Sequence, residues 1–566
     1  MISYVMQSGR YGLRVGRFVI SQSAFMIAAA VVVGIGGGFG AIVFRAMIAG
    51  AAWIAHPIGS IALVLQLAVG GAIAAFVATR FAPEAKGHGV PEVMEAVALR
   101  GGAMRPRVIA VKSIASAVSI GFGGSCGREG PIVQIGSAIG SLIGQLARAP
   151  APIVRTLVAC GAAAGISATF NAPIGGVFFA SEVILGEFAP RSFAAIVVAS
   201  VIAAVISRAF LGNHPSFNAS GFVLVSPLEL VLYAVLGVVA AGWATGFVNV
   251  LYAIEDGFER IKLPAWVKGT LGFAGVGVIG MWFPQVLGVG YGPIQQVLYS
   301  HVPARHGLAL AALKPIATSL TLGAGGSGGI FAPSLFTGAF LGDWYGRLVH
   351  GLFPLWTAPS AAYGLVAMAA VFAAAAEAPI TAIMIVFEMS NDYTIILPLM
   401  VTVVIATVLG RSWLGATIYE RKLIRRGIDW QRARHPRFFA KLSVSSVVRQ
   451  PPAIAQAADT IADVLARDER GGELAFPVCD GDRFVGVVTA VDLARAATAG
   501  SGAQPVRTIM HSAERLHASD TLERAATLMA DTENPLLAVV EGSEDRLTGI
   551  VTRRDLLNAY RSGAGS

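Results

Sequence analysis

A glutamate sits inside a glycine-rich interruption of apolar sequence, in Gly127-Arg128-Glu129-Gly130-Pro131. Two other interruptions share that build: Gly87-His88-Gly89-Val90-Pro91 and Gly329-Ile330-Phe331-Ala332-Pro333. Glycine permits a turn or a close backbone approach, and proline suits the first turn of a helix, so each break predicts a helix N-terminus at membrane depth. Unpaired N–H groups and the positive end of the helix dipole suit an anion there, and broken helices near the midplane are how transporters build ion sites. An acid in such a place is expensive unless it is used. Glu129 therefore reads as a gate whose ionised carboxylate occupies the anion position and whose protonated form loses its charge and yields that position. Arg128 adds positive potential to the path rather than pairing with Glu129, because adjacent residues on a helix do not face one another.

Long apolar helices must surround these breaks. The chain has 566 residues, 55% hydrophobic and 13% charged, with 67 glycines, and a mean hydropathy of +0.68, which is expected of a polytopic membrane protein and of no soluble chain this long. Hydrophobic stretches recur from about residue 21 to 414, room at about 20 residues per span for roughly ten or more helices, some tilted or not fully crossing. Runs such as 28–48, 194–206 and 361–376 lack the alternation of barrel strands, which makes the lipid-facing backbone helical. The basic start, with Arg10, Arg14 and Arg17, leads into a Gly/Ala-rich span without a clear cleavage site, and residues 1–20 read as a cytoplasmic N-terminal segment. Beyond the last span, Arg421, Lys422, Arg425, Arg426, Arg432, Arg434, Arg437 and Lys441 are opposed by few acids nearby in sequence and concentrate the net charge of +9. The positive-inside tendency makes that face cytoplasmic, and anionic lipid rather than nucleic acid is its expected neighbour. Cys126, Cys160 and Cys479 have neither metal-ligand spacing nor an even disulfide framework, so free thiols and no metal site are expected.

From about residue 443 the composition becomes that of a soluble domain with an internal repeat. Phe476-Pro477-Val478 leads to Gly486-Val487-Val488-Thr489-Ala490-Val491-Asp492, and Pro535-Leu536-Leu537 leads to Gly549-Ile550-Val551-Thr552-Arg553-Arg554-Asp555. The copies lie about 60 residues apart, and each reads as an amphipathic helix (461–466, 522–529), two short β-branched strands and a helix starting near Thr-x-x-Asp. The pattern resembles a tandem pair of cystathionine-β-synthase-type (CBS) modules, here 443–503 and 504–562, behind a basic linker at 426–442. The resemblance implies an adenine nucleotide held through Thr489 with Asp492 and Thr552 with Asp555, with Arg553 and Arg554 as phosphate neighbours. Helix capping by the same Thr and Asp residues is the structural alternative.

The string Gly123-Gly124-Ser125-Cys126-Gly127-Arg128-Glu129-Gly130-Pro131-Ile132-Val133-Gln134-Ile135-Gly136 resembles the signature of the CLC family of chloride channels and chloride/proton exchangers. Phe170-Asn171-Ala172-Pro173, Phe387-Glu388-Met389, the other two breaks and Tyr419 extend the likeness over about residues 20–425. It implies a transmembrane domain, 21–425, of two inverted halves with broken or re-entrant helices meeting at the ion. It also implies an anion pathway formed by His88, Gly127, the backbone N–H groups of Ile330 and Phe331, and the Tyr419 hydroxyl, with Arg128 adding positive potential and Glu129 as gate. Neutral donors hold an ion without trapping it. His88 departs from the family's usual serine; a neutral imidazole still donates a hydrogen bond, and a protonated one adds charge. Val183 stands where well-coupled exchangers commonly place an internal proton glutamate. Glu182, turned about 100° away on a helix, and Glu377 are the candidate substitutes.

The fold class expected is therefore a multi-pass α-helical membrane protein followed by a small α/β cytoplasmic pair, and the expected function is transport of chloride and similar monovalent anions, as exchange or as passive conduction. The partners expected are anions, protons, the lipid bilayer and a second copy in a homodimer, in a prokaryotic plasma membrane, with no required cofactor. A cation or metabolite transporter would want an acid-rich site rather than helix N-termini aimed at negative charge. An enzyme is not expected, since His-Glu-x-x-His, Gly-x-Ser-x-Gly and metal-spaced cysteines are missing from the sequence. A sensor that moves nothing would have no use for Glu129.

Overall fold

The computed structural model describes residues 2–7, 10–15, 18–55, 59–213, 217, 222, 224–299, 304–428, 442–451, 453–467, 475–532, 535–542 and 544–562. The chain divides into two compact units, Met1–Trp430 and Gln431–Ser566. Most of the basic linker, including Arg432, Arg434, Arg437 and Lys441, lies outside the described residues.

The first unit opens with an antiparallel meander, β1 (Ile2–Gln7), β2 (Arg10–Val15) and β3 (Phe18–Ser21), where the sequence suggested no element. Helices follow in two series. The first runs α1 (Gln22–Ile54), α2 (Ser60–Phe81), α3 (Val90–Leu99), α4 (Arg107–Gly121), α5 (Glu129–Leu146), α6 (Ala151–Phe170), α7 (Pro173–Phe179), a π-helical turn (Ala180–Leu185) and α8 (Pro190–Leu211). The second runs α9 (Glu229–Arg260), α10 (Ala265–Trp282), α11 (Tyr291–Leu298), α12 (Ala304–Gly323), α13 (Phe331–Leu352), α14 (Ser360–Ala376), α15 (Pro379–Ser390) and α16 (Ile396–Leu414), closed by α17 (Glu420–Arg425). Among the described residues, six helices are long and apolar enough to cross a membrane. Shorter ones stop inside the fold, as the Gly/Pro breaks require.

The two series are copies related by a pseudo-twofold axis. Gly127 and Gly329 occupy equivalent places and pair with each other: the Gly127 N–H donates to the Gly329 carbonyl at 2.7 Å, and the Gly329 N–H returns the bond at 2.6 Å. An antiparallel bridge between equivalent residues places the axis between them and makes the halves inverted. Other pairs repeat the relation. The Ser125 N–H donates to the Thr321 hydroxyl and the Ser327 N–H to the Ser119 hydroxyl, each at 3.0 Å.

Packing repeats as well. On α5, Gly136 and Gly140 lie against α6 so closely that a Cβ would fall 2.2 Å from the Gly161 carbonyl oxygen and 2.0 Å from that of Leu157. On α13, Gly338 and Gly342 meet the Ala367 and Tyr363 carbonyls of α14, each at 2.3 Å by the same measure. Small residues at four-residue spacing allow such contact where lipid provides no hydrophobic drive between helices.

The second unit carries a six-stranded sheet of β4 (Ala455–Gln456), β5 (Ala475–Asp480), β6 (Arg483–Thr489), β7 (Arg515–Leu516), β8 (Leu536–Glu541) and β9 (Arg546–Thr552), in the order β4-β5-β6-β9-β8-β7. Its helices are α18 (Ile461–Ala466), α19 (Ala490–Thr498), α20 (Leu522–Thr532) and α21 (Arg553–Ser562). Arg483 of β6 pairs antiparallel with its repeat equivalent Arg546 of β9, so this unit also has an internal pseudo-twofold axis. The alternation of helix, paired strands and helix agrees with the repeat read from sequence.

Candidate functional site

Glu129 begins α5 and Phe331 begins α13, so the Gly127–Gly329 bridge brings two helix N-termini to one point. The α3 N-terminus joins them. A Cβ on Gly130 would fall 2.1 Å from the His88 carbonyl oxygen, and only glycine lets the α3 and α5 entries converge so closely. The first-turn N–H groups of a helix have no intrahelical acceptor, so the convergence concentrates donors and positive dipole ends.

The Glu129 carboxylate lies in this focus, 1% exposed. Its Oε1 accepts a hydrogen bond from the Tyr291 hydroxyl, and its Oε2 lies above Gly127, where a Cβ would come within 2.1 Å of it. The side chain therefore covers the paired N-termini. Tyr291 is held between Phe170 and Phe217, with ring centroids 6.4 and 5.8 Å away, and the Arg128 guanidinium lies 5.0 Å from its ring centre. Arg128 also donates to the Thr169 carbonyl at 3.4 Å. It thus faces Tyr291 and lends positive potential beside Glu129.

His88, Glu129, Ile330, Phe331 and Tyr419 line one cavity, together with Gly130 and apolar side chains that include Phe179 and Ile166. Gly127 contributes through its bridge to Gly329. Tyr419 is 2% exposed, so it is no interfacial aromatic. Its place is fixed from several sides: the Tyr252 hydroxyl donates to the Ile418 carbonyl at 2.5 Å and the Ile418 N–H to Ala375 at 2.8 Å. A Thr417/Glu420 capping box starts α17. The basic residues of α17, which sequence left with few acids, find partners far back in the chain. Lys422 pairs with Glu255 and Arg425 with Asp256 on α9, while Arg426 pairs with Glu92 and Glu95 on α3. Arg421 donates to Asn249 at 2.6 Å.

The two candidate proton-path acids each have a structural partner. Glu182 accepts the Thr381 N–H at 2.9 Å, the Thr381 hydroxyl at 2.6 Å and the Ile380 N–H at 3.3 Å, which caps α15. Glu388, its counterpart in the other half, accepts the Ile174 and Gly175 N–H groups at 3.0 and 2.7 Å and caps α7. Each half thus closes a helix of the other with a carboxylate. Glu377 ends α14 in the left-handed region, φ 53°, and pairs with Arg411. Neither Glu182 nor Glu377 lines the Glu129 cavity, and Val183 is buried.

Three functional residues escaped the sequence reading. Tyr291 follows a fourth break, Gly288-Val289-Gly290-Tyr291-Gly292-Pro293, which has the same build as the other three. Lys112 and Lys314 are fully buried equivalents. Lys112 donates to the Ala85 and Gly87 carbonyls at 3.0 and 2.8 Å, and Lys314 to Val286 and Gly288, both at 2.8 Å. They hold the turns that enter α3 and α11, behind the converging helix N-termini.

In the C-terminal unit, the Thr489 hydroxyl donates to Asp492 Oδ2 at 2.5 Å and accepts the Asp492 N–H at 3.1 Å. Thr552 and Asp555 repeat the arrangement. His511 Nε2 lies 3.0 Å from Asp492 Oδ2, and Arg449 Nε 3.1 Å from Asp555 Oδ2. The Thr489 hydroxyl, aided by His511, holds the Asp492 carboxyl below its ordinary range. These residues therefore do cap helices. The bonds to the carboxylates engage Oδ2; Asp555 Oδ1 stays an acceptor suited to a ribose hydroxyl, while Asp492 Oδ1 faces Arg495 at 3.9 Å. Among the described residues no cluster could hold a metal ion, and Cys126, Cys160 and Cys479 are free and buried.

Inverted halves, interrupted helices and a glutamate over paired N-termini define a membrane anion transport protein. The chain belongs to the voltage-gated chloride channel (CLC) family, which it matches over residues 70–411, and it carries CBS domains at 444–499 and 506–562. It is 32% identical to the putative chloride channel protein ClcB-like of Ralstonia nicotianae over 60% of this chain and 80% of that one. It is 30% identical to the H(+)/Cl(-) exchange transporter ClcA of Cronobacter sakazakii over 62% of this chain and 76% of that one. A solved slow cyanobacterial Cl-/H+ antiporter superposes with a TM-score of 0.65 at 28% identity, over 71% of this chain and 97% of that one. Chloride transport is the function of this family.

Proposed function

We propose that this protein exchanges chloride and similar monovalent anions for protons, with Glu129 as the gate. The observation that carries the reading is the Glu129 carboxylate lying over the N-termini of α5 and α13, in one cavity with His88, Phe331 and Tyr419. A carboxylate there competes with the anion for the same donors, so proton binding to Glu129 and anion entry are linked. A passive channel gated by the same residue is the second reading, favoured by Val183 and by the commitment of Glu182 to a cap.

The working unit is a homodimer with one pathway per subunit, in a prokaryotic plasma membrane with the CBS pair on the cytoplasmic face. An adenine nucleotide acts there as regulator, its ribose hydroxyls accepted by Asp492 and Asp555 and its phosphates near the Thr489 and Thr552 helix starts. Tracer flux into liposomes tests the transport reading. Chloride uptake without sodium uptake, altered by Glu129→Ala, is the expected result; sodium flux, or no chloride flux at any pH, contradicts it. Asp492→Asn with Asp555→Asn should abolish nucleotide binding to the full-length protein and leave basal chloride flux intact.

A further inference from the structure

His88 stands in an unusual position for a histidine. It lies between two glycines in the left-handed region, Gly87 at φ 76° and Gly89 at φ 85°, and is 2% exposed. Neither Nδ1 nor Nε2 has a hydrogen-bond partner within the protein, although both atoms are buried. Leaving a buried polar group unsatisfied is costly, so a packing role explains the ring poorly. Its ring centre is 6.1 Å from that of Tyr419, and it lines the cavity that holds Glu129.

The charged groups around it come from every neighbouring element. Lys112 of α4 donates to the carbonyl of Gly87, the preceding residue, and the Lys422 ammonium of α17 lies 3.1 Å from where a Cβ on Gly87 would stand. Glu92, one turn along α3, engages Arg426 through Oε1. Glu129 closes the cavity from α5. No carboxylate is bonded to the ring, and Lys422 and Arg426 are themselves paired with Glu255, Glu92 and Glu95. An anion entering the cavity lies beside the ring and favours imidazolium there. Proton and anion then favour each other at one place, and the linkage is reciprocal. Glu182 caps α15 and Glu377 pairs with Arg411, and neither lines this cavity.

We infer that His88 is the inner proton carrier of the exchange cycle, taking up a proton at a ring nitrogen when an anion enters its cavity and passing it to the Glu129 carboxylate. The inference rests on the proposed anion site. In the step, an imidazole lone pair accepts a proton from the inner solution and an N–H bond forms. That N–H then breaks as the Glu129 carboxylate gains the proton, directly or through water, and His88 returns to neutral imidazole.

The test is calorimetric chloride titration of full-length Glu129→Gln protein near pH 6.5, in two buffers of different ionisation enthalpy. Glu129→Gln removes the other proton acceptor. A buffer-dependent enthalpy that reports proton uptake with chloride, and that disappears in Glu129→Gln/His88→Gln while chloride still binds, is the expected result. Uptake unchanged by His88→Gln, or chloride binding without uptake in Glu129→Gln, overturns the inference. Absence of chloride binding in both Glu129→Gln and wild type overturns the anion site itself. In liposomes, His88→Gln and His88→Asn should each lower the proton-to-chloride flux ratio at least tenfold, whatever they do to chloride flux itself, and adding Val183→Glu to His88→Gln should restore the ratio. A retained ratio in both single variants contradicts the assignment.

Discussion

Tyr291→Phe removes one hydroxyl from the bond that holds Glu129 over the helix N-termini. Phenylalanine keeps the ring between Phe170, Phe217 and Arg128, so little packing is lost. A hydrogen bond to a charged group contributes about 1.5–3 kcal/mol. Its loss lowers the population of the covering position relative to the displaced one by about 10- to 150-fold. Chloride efflux from liposomes, measured at a pH where gating limits the rate, should rise about tenfold or more. The comparison that matters is the same substitution on Glu129→Ala, where no gate remains and Tyr291→Phe should change nothing. An equal change in both backgrounds, or no change in either, would refute the gate-holding role of Tyr291.

Other consequences follow from the same geometry. Glu182→Ala should destabilise the fold by roughly 1–3 kcal/mol through the uncapped α15 N-terminus, read as a lower Tm in detergent, with the proton-to-chloride ratio unchanged; a selective loss of proton flux would restore Glu182 as a carrier. Gly140→Val should drive α5 from α6, because a Cβ there already falls 2.0 Å from the Leu157 carbonyl oxygen, and overpacking of about 1–3 kcal/mol should appear as reduced yield of folded protein. Asp492, held below its ordinary range chiefly by the Thr489 hydroxyl, stabilises the fold above its unfolded pKa, and that stability is lost as pH falls through the lower folded value. As pH falls below about 4, the unfolding transition of the C-terminal unit in the full chain should therefore fall more steeply in wild type than in Thr489→Ala; parallel curves would contradict the assignment.

The parts of the site that come from local sequence were legible and the parts that come from long-range pairing were not. Glycines before Pro91, Pro131 and Pro333 mark helix starts wherever they occur, so three of the converging ends were readable. Tyr291 follows an identical signal in Gly288-Val289-Gly290, but an aromatic residue in apolar surroundings looks like core until Glu129 is placed beside it. Lys112 and Lys314 reveal nothing in sequence, because a lone lysine on a short helix reads as a surface residue and only the folded turns supply its carbonyl acceptors. The acids that answer Lys422 and Arg425 lie on α9, far outside any local window. The inverted repeat was hidden for a related reason. Its equivalent glycines keep their places while the neighbouring side chains differ, Arg128 and Glu129 standing opposite Ile330 and Phe331. The CBS repeat kept its Thr-x-x-Asp in both copies and was visible at once.

The most direct test of the central claim is simultaneous recording of chloride and proton movement from reconstituted liposomes under a chloride gradient, with the potential set by potassium and valinomycin and Glu129→Ala run alongside. The account predicts chloride-driven uphill proton movement in the wild type and its loss in Glu129→Ala with chloride flux retained. Rapid wild-type chloride flux without proton movement would contradict exchange and make the protein a Glu129-gated channel.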